Sequence, residues 1–192
     1  MKTNRFSFSE IKRLFLLLAL PLHFWAIFLA LRDVEAMAKR STMFDAISFI
    51  AYILVIALVE TLFTLMVALI LNLFLPNHWQ KKQRVLALAS IGYVVAYWTI
   101  LNQINYWQDL RYGYLFNWLT SSAHELWYSL FIVLAGFIMV IFSVVFPLYV
   151  IDHYPKKVNA LNSIADRITV LTSIFVILDI AAGILVLYRN LS

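Results

Sequence analysis

The chain has 192 residues, 64% of them hydrophobic and 13% charged, against about 45–50% and about 25% in an ordinary soluble domain. It contains no cysteine, which excludes disulfides, thiolate metal sites, Cys-ligated iron–sulfur clusters and cysteine nucleophiles. The formal charge of +5 is spread over clusters that flank apolar runs, a membrane pattern and not a nucleic-acid-binding patch.

Five runs approach or exceed the roughly 20 apolar residues needed to cross a bilayer: Leu14 to Leu31, Ala46 to Leu75, Val85 to Leu101, Leu126 to Ile151 and Ile164 to Tyr188. They predict an all-α, polytopic helix bundle forming a single transmembrane domain over residues 1–192. The basic leader before the first run resembles that of a signal peptide, but the run is long and "AIFLALRD" lacks a small-x-small cleavage pattern, so an uncleaved first span is expected. Four, three and three Lys and Arg residues occupy the N-terminus and the 76–84 and 152–167 loops, against three, one and one in the 32–45 loop, the 102–125 loop and the C-terminus. Ten against five predicts a cytoplasmic N-terminus and an outside C-terminus. Arg32, Lys39 and Arg40 in the first outer loop run against that assignment.

The acidic residues separate by local role. Ser7 and Glu10, Thr42 and Asp45, Ser122 and Glu125, and Ser163 and Asp166 each have the spacing of a capping box at a predicted helix start. Asp33, Glu35, Asp109 and Asp152 fall in loops or at span ends. Only Glu60 and Asp179 stand inside apolar spans without such a local role. Span midpoints put His23, Glu60, Tyr93 and Asp179 at one depth. Each sits in a seam of small and hydroxyl residues: Ala19, Ala26 and Ala30 on the first span, Ala57, Thr64 and Ala68 on the second, Gly92, Ala96 and Thr99 on the third, Thr172 and Gly183 on the fifth. Such residues let helices approach closely in lipid. The four polar residues are therefore the candidate midplane network, read either as a hydrogen-bonded set that fixes helix register or as a proton or cation path. Pro21, two residues before His23, frees the carbonyl of Leu17, and Pro147 that of Ser143.

Between the third and fourth spans, Trp107, Leu110, Tyr114 and Trp118 recur at helical spacing. This segment is expected to lie in the headgroup region, with Trp107, Tyr114 and Trp118 as its interfacial aromatic residues. A bis-histidine haem is not expected, because His23 alone is central while His78, His124 and His153 lie near the ends. No phosphate-binding, hydrolase or metal motif occurs, so neither enzymatic activity, nor a cofactor, nor a metal is expected.

These features describe a multi-pass protein of a bacterial-type inner or plasma membrane, an organelle membrane fitting the same pattern. The expected role is that of a non-catalytic membrane subunit or scaffold. Its expected partners are membrane lipids and other membrane subunits or further copies of itself, and not nucleic acid. The competing role is a small transporter or channel component with a path through His23, Glu60 and Asp179.

Overall fold

The computed structural model describes residues 6–39, 42–107 and 125–191. Five long helices run through it: α1 Phe8–Ala38, α2 Met43–Leu71, α3 Lys81–Trp107, α4 Glu125–His153 and α5 Pro155–Leu191. Each contains a stretch long and apolar enough to cross a membrane, and no strand occurs among the described residues. Helix is the form such stretches must take, because hydrocarbon offers no partner for an unpaired backbone amide or carbonyl. At 31 and 37 residues, α1 and α5 are about 46 and 55 Å long. Both exceed an apolar layer of about 30 Å, so they tilt or extend beyond it.

Helix boundaries follow local chemistry. Before α1, the Ser7 amide and hydroxyl both donate to Glu10 Oε2, at 2.7 and 2.9 Å. Thr42 and Asp45 form a complete capping box at the start of α2. A short 3-10 turn at Asn72–Phe74 and then Pro76 end that helix. The Ser163 and Asp166 pair does not start a helix. α5 begins at Pro155, a residue suited to the first helical position, and runs unbroken through 163. Asp166 instead meets Arg13 of α1 at 3.0 Å.

α1 is the centre of the bundle, packing against α2, α3 and α5, while α2 also packs against α5. α4 is peripheral, resting mainly on α3, and Phe131, Val133, Phe137, Phe142 and Phe146 are all exposed. Alanines carry much of the close packing: Ala19, Ala30, Ala46, Ala51, Ala57, Ala68, Ala89, Ala165 and Ala182 are all buried. An added Cβ on Gly92 of α3 would collide with the buried Leu18 side chain of α1. A side chain at 92 would therefore require Leu18, which also lines the groove described below, to turn aside.

Successive helices run antiparallel, which gathers one set of polar groups at each end. At the end holding the N-terminus of α1, Lys81 pairs with Glu10 at 3.4 Å and Arg13 also donates to the Asn162 carbonyl and Oδ1. The buried Arg84 donates to the Pro76 carbonyl at 2.8 Å and to Asn72 Oδ1 at 3.4 Å, tying off the end of α2. At the opposite end Arg189 meets Asp45 at 2.8 Å, and Asn190 donates to the Tyr52 hydroxyl oxygen.

Candidate functional site

Among the described residues, His23 and Asp179 form the most deeply enclosed polar contact between helices. Nε2 of His23 lies 3.0 and 3.1 Å from the two carboxyl oxygens of Asp179, and Nδ1 lies 3.0 Å from the Ala19 carbonyl oxygen one turn earlier. Their side chains are 0% and 2% exposed. Phe175, one turn before Asp179 on α5, stacks on the imidazole with ring centroids 5.1 Å apart. Placement follows from spacing: Thr172, Asp179 and Ala182 fall on the buried stripe of α5, as Ala19, His23 and Ala30 do on α1.

The partners limit the pair's proton count. A carbonyl oxygen only accepts, so Nδ1 carries a hydrogen. Nε2 then either donates a second hydrogen to an ionised carboxylate or accepts one from a protonated carboxyl, because two bare lone pairs would repel. In both arrangements one proton lies on the Nε2 to carboxyl axis and the pair carries no net charge, whereas a further proton would bury an uncompensated positive charge at a high desolvation cost.

The other two candidate midplane residues are not bonded to this pair. The Tyr93 hydroxyl is buried and has no hydrogen-bond partner among the described residues. Glu60 is exposed, and no hydrogen bond or ion pair engages its carboxyl among the described residues. The reason for its position is angular. Leu54, Ala57, Thr61 and Ala68 form the buried stripe of α2, and a helix turns by about 100° per residue, so Glu60 looks out to one side of Thr61.

That side is a groove of about 700 Å³ between α1, α2 and α3. α2 and α3 touch each other little and both lean on α1, which forms the floor through Leu18, Pro21, Leu22, Trp25, Ala26 and Leu29. Ala57, Glu60 and Thr64 line one wall and Gly92, Ala96 and Thr99 the other. The small-residue seams of α2 and α3 thus face each other across α1. Continuing the α3 seam by four residues reaches Gln103, which sequence reasoning missed although the period pointed to it. Its Oε1 accepts from Trp25 Nε1 at 2.7 Å, joining α1 to α3 in the groove lining. The hydroxyls of Thr64 and Thr99 donate to the carbonyls of Glu60 and Val95, at 2.8 and 2.9 Å. The Glu60 carboxyl is the ionisable group of the lining. An ionised carboxylate in the middle of an apolar span costs about 2.5 to 3.5 kcal/mol on insertion scales, and no basic side chain of the described bundle offsets that cost.

At the basic end, Asp152 accepts from Trp79 Nε1, and its two oxygens separately face His78 at 3.2 Å and His153 at 3.5 Å. No group of three or more His, Asp or Glu residues is arranged to hold a metal among the described residues. Of the aromatic candidates, Trp107 is the last residue of α3, and Tyr114 and Trp118 lie outside the described residues. Comparison of the chain with protein-family models, curated proteins and solved structures finds no match.

Proposed function

We propose that the chain is a non-catalytic membrane subunit or scaffold whose α1, α2 and α3 groove binds a lipid or another apolar molecule. The groove carries this reading. Its volume, about 700 Å³, falls within the roughly 300 to 1,000 Å³ typical of small-molecule sites. Its outer lip is formed by exposed apolar side chains, among them Ile56, Val59, Phe63 and Val95. Such a lip lets a membrane-dissolved molecule enter sideways. The exposed apolar surface of α4 offers a second contact face for lipid or a partner helix.

The orientation that goes with this role has the N-terminus in the cytoplasm and the C-terminus outside. It is supported by the meeting of Arg13, Lys81 and Arg84 with their partners at a single end of the bundle, since basic loops favour the cytoplasmic side. The segment with Trp107, Tyr114 and Trp118 would then lie in the outer headgroup layer of a bacterial-type inner or plasma membrane. A transport path through His23, Glu60 and Asp179 would need a link from the buried pair to the groove, by direct hydrogen bonds or through water. Among the described residues no hydrogen bond joins Glu60 to either partner.

The test is lipid retention. Purified in mild detergent and examined by native mass spectrometry, the protein should carry bound lipid that Thr99→Trp, which fills the groove from an exposed position, removes without unfolding the chain. Equal retention by both proteins would overturn the assignment of binding to the groove. In proteoliposomes, pH-dependent flux lost in Glu60→Gln would instead establish the transport role.

A further inference from the structure

Resting on that binding role, we infer that the groove takes an amphiphilic amine, a cationic nitrogen on an apolar body, with the nitrogen seated against the Glu60 carboxylate. Three observations converge on this chemistry. The ionisable side chain in the lining is an acid, and it lacks any partner within the described chain. The hydroxyl donors of the lining, those of Thr64 and Thr99, are already committed to backbone carbonyls, and the Trp25 indole donates to Gln103. Apart from the neutral Gln103 amide N–H, what the groove leaves unmatched is therefore an acceptor that gains a charge on ionisation. Its complement is a charged donor. An anionic headgroup would meet like charge there, and a neutral alcohol would leave the carboxylate without a counter-charge.

The rest of the lining sets the remainder of the ligand. Leu22, Leu29, Ile53, Ile56, Phe63 and Ile100 line the same groove as Glu60 with hydrocarbon, which suits an alkyl or ring body. The low-dielectric surroundings strengthen an ammonium–carboxylate contact relative to the same contact in water. Pro21 stands on the groove floor, and its missing amide removes the helix bond to the Leu17 carbonyl. An amine of this class could be a resident membrane amphiphile or a lipid-soluble amine from outside the cell. The chemistry at Glu60 is the same for both.

The full chain in phosphatidylcholine nanodiscs would be exposed to three photoreactive probes with the same dodecyl body, ending in a primary amine, an alcohol or a carboxylic acid. Labelled residues would be mapped by mass spectrometry. The amine should label α1, α2 and α3 groove residues about tenfold more than the alcohol, a ratio equal to about 1.4 kcal/mol of preference, and the acid least. Glu60→Gln should abolish the preference while leaving alcohol labelling in place, and Asp166→Asn, at the basic end, should change nothing. Thr99→Trp should suppress labelling by all probes, which separates groove occupancy from incidental contact with lipid-facing helices. Equal labelling by amine and alcohol, or preference for the acid, would overturn the amine assignment and leave the binding role intact. Absence of groove labelling by every probe would overturn both, as would a stoichiometric partner polypeptide whose basic side chain crosslinks to position 60. Extraction from native membranes distinguishes the two sources. An endogenous amine held by wild type and lost from Glu60→Gln identifies a resident amphiphile, whereas amine-probe binding without a retained endogenous amine identifies an external one.

Discussion

His23 and Asp179 both surrender their contact with water when α1 and α5 pack, so each depends on the other for a polar partner. Removing one leaves the other buried and unmatched, a loss of about 3 to 5 kcal/mol for buried pairs, whereas replacing both by apolar residues is often close to neutral. His23→Leu and Asp179→Leu should each strongly destabilise the protein, and the double variant should recover most of the loss. Denaturant titration of the four proteins in one detergent measures this cycle, and simple addition of the two single losses would show that the contact is unimportant. Tyr93 calls for the opposite outcome. Its hydroxyl is buried without a partner among the described residues, so Tyr93→Phe removes a group that has only a desolvation cost. The variant should be at least as stable as wild type, by up to about 1 to 3 kcal/mol, and a loss of that size would show that a partner is present.

Between elements, the contact of Gly92 with Leu18 tests how α1 and α3 meet. Gly92→Ala adds a methyl group against the end of the Leu18 side chain, and where that side chain is held in place such overpacking costs about 1 to 3 kcal/mol. Leu18→Ala in the same chain should relieve part of that cost, giving a coupling of about 0.5 to 3 kcal/mol in a double-variant cycle. Independent effects would mean that α3 shifts freely to absorb the methyl. The elements themselves were readable beforehand, because hydropathy marks the five spans and Ser7, Glu10, Thr42 and Asp45 mark two helix starts. Azimuth was not. α2 is apolar on nearly every side, so nothing in its own pattern says whether Glu60 faces α5 with Asp179 or turns toward α3. The answer depends on α1 standing as a floor beneath α2 and α3, a tertiary fact with no local signature. Ser163 and Asp166 misled for a related reason, because their spacing fits a cap while Pro155 starts the helix earlier.

For the molecule as a whole, the antiparallel order puts residues 7, 77 and 159 at one end and makes its side of the membrane a single yes-or-no question. The cysteine-free chain allows a clean measurement. Single cysteines at Ser7, Asn77 and Asn159 should be shielded from an impermeant thiol reagent in sealed cells, while those at Ser121 and Ser192 should react. Labelling at Asn77 with protection at Ser121 would invert the orientation. The bundle is also uneven in how firmly it is held. Its tightest packing surrounds α1 near the basic end, through Leu14, Leu17, Leu18, Val85, Leu88 and Ile151, whereas α4 adds few buried side chains.

The one-proton arrangement of His23 and Asp179 bears on how this protein would experience an electric field. A full elementary charge crossing the membrane gains or loses about 2.3 kcal/mol per 100 mV. Passing the shared proton between Nε2 and a carboxyl oxygen 3.0 Å away moves it by only about 1 Å of an apolar layer about 30 Å thick. The field then does about 0.1 kcal/mol of work per 100 mV, well below the thermal energy of about 0.6 kcal/mol. The pair is electrically silent, so voltage across the membrane leaves its proton undisturbed.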